Sequence, residues 1–233
     1  MLLNRLREQV LEANLELVRR GLVLYTFGNA SGISREDGLV VIKPSGVHYD
    51  KLKPPDMVIT NLEGAVVEGE LRPSSDLPTH LVLYKAFANI GGVAHTHSDF
   101  ATAWAQAGRP IPCLGTTHAD TFHGAVPVTE NLASGEIESE YEKNTGHIIV
   151  RAFKHINPES VPGALVRSHG PFCWGATAEI AAHNSSILEA VARMAYYTVG
   201  LAQAAEPISQ FLHDKHYLRK HGSGRYYGQM EKK

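Results

Sequence analysis

Two cysteines in 233 residues, Cys113 and Cys173, are too few and too far apart to build a disulfide scaffold, and the chain is expected in a reducing cytoplasm. A basic excess is missing too: Lys plus Arg is 22 against 24 for Asp plus Glu, a formal charge of −2 with histidine neutral. Nucleic-acid binding and attachment to an anionic membrane surface both rest on positive charge, so neither is expected. No apolar run approaches the roughly 20 residues that cross a bilayer, and residues 1–20 are too charged and interrupted for a signal peptide. Without linkers, repeats or low-complexity tracts, one α/β domain over 1–233 is the economical reading.

The residue in generous supply is histidine, with 13 copies. Imidazole titrates near neutrality and is a common metal ligand, so the functional search starts there. His95-Thr96-His97 sits in a strand-like run, where alternation puts both rings on one face and within reach of one ion. His169 stands at the end of a second such run, in Ser168-His169-Gly170. Three neutral imidazoles with a fourth position open are the pattern of a catalytic zinc site, because a closed structural site favours thiolates. Asp76 is the acidic residue best placed to complete that shell, and by spacing alone it serves equally as a helix cap.

The surrounding pattern predicts alternating helices and strands. Leu3, Leu6, Val10, Ala13 and Leu17 mark one helix face that Gly21 ends. Strands are expected at 22–26, 39–42, 57–60, 65–67, 91–97 and 164–167, with a hairpin turn at Asn61-Leu62-Glu63-Gly64. Helices are expected from Leu77, over 99–107 closed by Gly108, and from a Thr177 cap to about 205 with Ile180, Ile187, Val191, Met194 and Val199 as its apolar stripe. Residues 111–150 mix short apolar runs with loops, and a polar tail follows Pro207.

Three clusters of small residues accompany the histidines: Gly28-Asn29-Ala30-Ser31-Gly32, Lys43-Pro44-Ser45-Gly46 and Pro73-Ser74-Ser75-Asp76. Each offers backbone N–H groups and hydroxyls of the kind that hold an anion. Each taken singly is also an ordinary turn. Together they point to a small phosphorylated substrate, and none matches a nucleotide fingerprint.

The order of Gly28-Asn29, Lys43-Pro44-Ser45-Gly46, Pro73-Ser74-Ser75-Asp76, His95-Thr96-His97, Thr117-His118-Ala119-Asp120 and Ser168-His169-Gly170 resembles the class II aldolase/adducin family. The tail from Asp214 to Gly222, followed by Tyr226-Tyr227-Gly228-Gln229, is similar to the sugar-phosphate 4-epimerase branch of that family; Met230–Lys233 read as an extension. The resemblance implies a three-layer α/β/α domain on a mostly antiparallel sheet, assembled as a homotetramer with active sites between subunits. It implies zinc on His95, His97 and His169, with Asp76 as an additional ligand. Gly28, Asn29, Ser45, Gly46, Ser74 and Ser75 would bind the phosphosugar, beside Lys43. Asp120 and Tyr227 would be the acid/base residues, the tail from about 207 to 233 reaching a neighbouring subunit's site with His216 in support.

That branch inverts C4 of a phosphorylated 2-ketopentose, a carbon one step too far from the carbonyl for its hydrogen to be acidic. Retro-aldol cleavage of C3–C4, rotation of the aldehyde and re-formation of the bond is the workable route. Two other readings exist within the resemblance. One is an aldolase of the fuculose-phosphate type, whose relatives carry glutamate at the position of Asp76. The other is a non-catalytic adducin-like binding domain, which would lack the metal histidines present here.

Overall fold

The computed structural model of the chain describes residues 2–228; Gln229 and the 230–233 extension lie outside the described residues. Seven strands form one sheet: β1 Asn29–Ser34, β2 Leu39–Ile42, β3 Val58–Asn61, β4 Val66–Glu68, β5 Gly92–His95, β6 Gly163–Val166 and β7 Gly170–Gly175. Their spatial order is β4-β3-β2-β1-β5-β7-β6, and every ladder is antiparallel. The helices are α1 Asn4–Arg19, α2 Leu77–Ala86, α3 Asp99–Ala107, α4 Thr116–Ala119, α5 Ser134–Glu138, α6 Tyr141–Ala152, α7 Ala178–Leu201 and α8 Gln210–His221.

Strand alternation divides the core between the two faces. Val40, Ile42, Val58 and Val93 join a cluster with Leu81 and Tyr84 of α2, Trp104 of α3 and Leu188 of α7. Their neighbours Val41, Ile59 and Ala94 point the other way, against Val10, Ala13 and Leu17 of α1 and Ala181 of α7. Consecutive residues thus feed separate cores, which makes three layers. A buried Leu- or Val-sized side chain contributes roughly 1.5–3 kcal/mol of transfer free energy, so the two packed faces hold the sheet rigid behind its loops.

Several local expectations hold. Gly108 ends α3 at φ +63, and the Thr177 hydroxyl caps α7 by accepting from the Ile180 N–H. Others do not. Residues 22–26 are not a strand: Leu22 is buried while Leu24 and Tyr25 are exposed, and Tyr25 has φ +53, so the stretch is a turn into β1. Asn29–Gly32, expected as a loop, lie within β1. In α7 the buried face is Ala181, Ala182, Leu188, Val191, Ala192 and Ala195, while Ile180 and Met194 are exposed. Small residues face the sheet there because the helix approaches closely: a Cβ on Gly92 of β5 would lie 2.3 Å from the Ala178 nitrogen. The strand β7 and the tail helix α8 had no expectation, and residues 111–150 resolve into α4, α5 and α6 with connecting turns.

Candidate active site

The site grows from the ends of β1, β5 and β7. Asn29 is the register partner of His95 across the β1–β5 ladder. His95 closes β5, Thr96 and His97 continue beyond it, and His169 lies in the turn from β6 to β7 after Ser168, whose φ is +60. The Nε2 atoms of His95 and His97 face each other at 3.0 Å. A ligating nitrogen from each of His95, His97 and His169 lies within 4.8 Å of the others. The Nδ1 of His95 is 3.0 Å from the carbonyl of Pro171. That carbonyl can only accept, so Nδ1 carries the proton and Nε2 keeps its lone pair. Burial pushes His95 down to about 3, and His97 and His169 are also lowered, chiefly by burial. Three imidazoles held neutral with nitrogens converging are a fit for a divalent cation.

Asp76 stands beside this triad, outside the converging set. It occupies the N-cap position of α2 but makes no capping bond. Its Oδ2 instead accepts from Asn29 Nδ2 at 2.6 Å. Burial works against its charge, but the His95 and His80 imidazoles and the Asn29 amide outweigh it and leave the carboxyl below its ordinary range.

The small-residue clusters converge on the same place. Asn29 Nδ2 also donates to Ser74 Oγ at 3.0 Å. The Ser74 N–H donates to the Lys43 carbonyl and the Ser45 N–H to the Arg72 carbonyl, a backbone clasp continued by the Pro44–Pro73 bridge. Ser45, Gly46 and Ser75 are exposed, whereas Ser74 is buried. Gly28 has φ +82, and a Cβ there would meet the His95 carbonyl oxygen at 2.9 Å, so only glycine lets β1 pass the first histidine this closely. The Lys43 side chain is buried, and that burial lowers its ammonium to about 8.

Tyr49 and Tyr141 were missed in the sequence. The Tyr49 hydroxyl donates to the Gly28 carbonyl at 2.8 Å while its ring lies 4.7 Å from Lys43 Nζ. The Tyr141 hydroxyl, at the start of α6, is 3.3 Å from His169 Nδ1. Neither residue sits in a motif, and only the long-range packing reveals them.

Asp120 and Tyr227 form a separate group. Asp120 follows α4, and its side chain meets α8: His216 Nδ1 is 3.0 Å from its Oδ1, Arg219 Nη2 2.8 Å from its Oδ2, and Lys220 Nζ 3.4 Å from its Oδ2. Burial opposes its charge, but the Arg219 and His216 hydrogen bonds and the Lys220 and Arg219 charges hold the carboxyl below its usual range. Tyr227 is 59% exposed, its ring flanked by Arg219 and Lys220. Within the chain, every polar contact of the Asp120 side chain among the described residues goes to α8 and none to the histidine triad. A second histidine group, His123, His213 and Asp214, docks α8 on the loop after α4. His123 Nε2 is 2.9 Å from Asp214 Oδ1, and the His123 and His213 rings stack at 4.8 Å. Stacked rings do not aim their in-plane lone pairs at one point, so this group reads as a strut.

Comparison with known proteins agrees with this architecture. Residues 8–196 match the model of the Class II Aldolase and Adducin N-terminal domain. The chain is 52% identical over 227 residues to the L-ribulose-5-phosphate 4-epimerase UlaF of Salmonella paratyphi B, covering 97% of this chain and 100% of the relative; the Salmonella typhi protein of that name matches equally. Among solved structures, an L-fuculose 1-phosphate aldolase superposes with a TM-score of 0.77 at 24% identity, covering 91% of this chain and 94% of that one. The L-fuculose-1-phosphate aldolase of Thermus thermophilus gives 0.67 at 23%, covering 86% and 98%. At such identities the structures speak for the fold alone. No helix among the described residues is long and apolar enough to cross a membrane.

Proposed function

The chain belongs to the class II aldolase and adducin family, and on that premise we propose that it is a zinc-dependent enzyme interconverting L-ribulose 5-phosphate and D-xylulose 5-phosphate. The observation that carries this reading is the convergence of the three imidazoles with the Asn29, Lys43 and Ser74 loops at one end of the sheet. The 52% identity to a 4-epimerase, matched along that relative's whole length, supports this substrate.

In this reading His95, His97 and His169 hold the metal, with Asp76 as an additional ligand. A divalent cation there supplies Lewis-acid stabilisation of the negative charge that C3–C4 cleavage develops. Neutral imidazoles would leave its charge undiminished except by Asp76. Gly28, Asn29, Ser45, Gly46, Ser74 and Ser75 hold the phosphate, so that the cleaved glycolaldehyde phosphate turns over without leaving. Lys43, buried beside Tyr49, lies in the same region.

Inversion needs proton transfer on both faces of the rotating aldehyde. Asp120 and Tyr227 serve one face each, alternating as acid and base, with His216 in support. Their shared engagement with α8, away from the chain's own triad, supports delivery to a neighbouring subunit's metal within a homotetramer.

The test is incubation of the zinc-loaded protein with L-ribulose 5-phosphate, following D-xylulose 5-phosphate. Accumulation of free dihydroxyacetone without epimer would assign an aldolase instead. A fully active particle near the 25.4 kDa monomer mass would sink the shared site.

A further inference from the structure

Arg219 touches both residues of the acid/base pair, by different parts of itself. Its guanidinium forks onto the Asp120 carboxylate: Nη2 donates to Oδ2 at 2.8 Å and to Oδ1 at 3.0 Å, and Nε donates to Oδ1 at 3.2 Å. The same guanidinium carbon lies 4.9 Å from the centre of the Tyr227 ring. Its backbone carbonyl accepts from the N–H groups of Tyr226 at 3.0 Å and Tyr227 at 3.2 Å, folding the chain after α8 back onto the helix. Each of these contacts fixes a different degree of freedom. A fork holds a carboxylate plane in a way a single point charge does not. The ring contact and the paired carbonyl fix the tyrosine's direction relative to that plane.

From this geometry we infer that Arg219 is a positioning residue, setting Asp120 and Tyr227 at a fixed separation as one acid/base unit. The inference deepens the epimerase reading and rests on it for the roles of those two residues. Two donors acting on opposite faces of one small aldehyde must keep a constant gap, since misplacement by about 1 Å can cost on the order of a hundredfold in rate. His216, one helical turn before Arg219, contacts the same carboxylate oxygen, and Lys220 touches both Asp120 and the Tyr227 ring. His221 donates only to the Asp120 backbone carbonyl. Of the other histidines nearby, His123 is taken up by Asp214, and His118 donates to the Gly124 carbonyl. Among the described residues, Arg219 alone joins the carboxylate by a fork and the tyrosine through both its side chain and its backbone.

The experiment compares Arg219→Met and Arg219→Lys in the full-length, zinc-loaded protein, with metal content and melting temperature as controls; the lysine variant keeps the charge and guards against loss of folding in the other. The expected result is a kcat at least about tenfold lower in both, with KM within about threefold and zinc retained. The acid limb of the kcat/KM profile moves to higher pH, further for methionine than for lysine, because the carboxylate loses a cationic partner. Carbon-13 titration of the Asp120 carboxyl, assigned by its disappearance in Asp120→Asn, moves the same way and needs no turnover. Full kcat in Arg219→Lys, an effect on KM alone, or an Asp120 titration unmoved in Arg219→Met would overturn the proposal. Absence of epimerisation by the wild-type protein would instead overturn the functional reading, and the carboxyl titration would still decide whether Arg219 holds Asp120.

Discussion

Asn29 joins two parts of the site through one amide: its Nδ2 is 2.6 Å from Asp76 Oδ2 and 3.0 Å from Ser74 Oγ. It thereby ties a carboxylate beside the histidine triad to a hydroxyl of the small-residue loops. Asn29→Ala removes both bonds at once. We expect metal affinity to fall by about 10–100-fold, the usual cost of losing an outer-shell partner, together with a higher KM. Chelator competition and steady-state kinetics check the two effects, and a rise in KM with metal affinity untouched would show that Asn29 serves only the substrate.

His95 is the most buried member of the triad, at 1% exposure. His95→Asn should abolish stoichiometric metal and turnover together, and stripping the wild-type protein with a chelator should have the same effect, reversed by zinc. Retention of one equivalent of metal by the variant would remove His95 from the ligand set.

Tyr227→Phe keeps the ring between Arg219 and Lys220 and deletes only the hydroxyl. Zinc content should be unchanged while kcat falls by about 10²-fold or more, the scale of acid–base contributions. Unchanged turnover would take Tyr227 out of the mechanism.

Buried histidines set an acid limit on stability. Burial, opposed by Asp76, lowers His80 to about 4, and burial lowers His118 to about 4, against an ordinary 6.5. A base with a lowered folded value binds its proton more readily unfolded. Stability is therefore full above about 6.5 and is lost as pH falls toward 4, by up to about 3 kcal/mol per imidazole. Denaturant melts from pH 8 to 4.5 should show this slope, and His118→Phe should flatten part of it. A variant slope identical to wild type would clear His118 of the effect.

Gly28→Ala tests the close passage of β1. The new methyl would meet Val23 Cγ1 at 2.8 Å and the His95 carbonyl oxygen at 2.9 Å, at a φ of +82. We expect destabilisation of about 1–3 kcal/mol and weakened metal binding, read by thermal melts and metal titration. Neutral stability would mean that the turn relaxes without disturbing His95.

Most of the layered fold could be read from local pattern. The apolar face of α1, the β-branched run of β2 and the glycine closing α3 declare themselves within a few residues, because helix and strand periodicities are short-range. The His95/His97 pair was legible for the same reason. Two segments run against their local pattern, and a third offers none. Residues 22–26 carry strand-forming side chains but pair with nothing, since β1 begins later at Asn29. In α7 a large-residue stripe was expected, whereas close contact with Gly92 of β5 selects alanines. The helix α8 is mostly polar, held by contacts of its histidine, arginine and lysine side chains rather than by an apolar stripe, so periodicity had nothing to detect.

By itself, then, the sequence determined which chemistry was available: neutral imidazoles without thiolates, three clusters of small residues, and an acid and a tyrosine in a similar order to a known family. Tertiary structure alone decided which of these meet. Antiparallel pairing set Asn29 beside His95, the turn between β6 and β7 brought His169 across 72 residues to His97, and the docking of α8 gave Asp120 to Arg219. Such encounters depend on register and packing between segments far apart in the chain, and no local propensity encodes them.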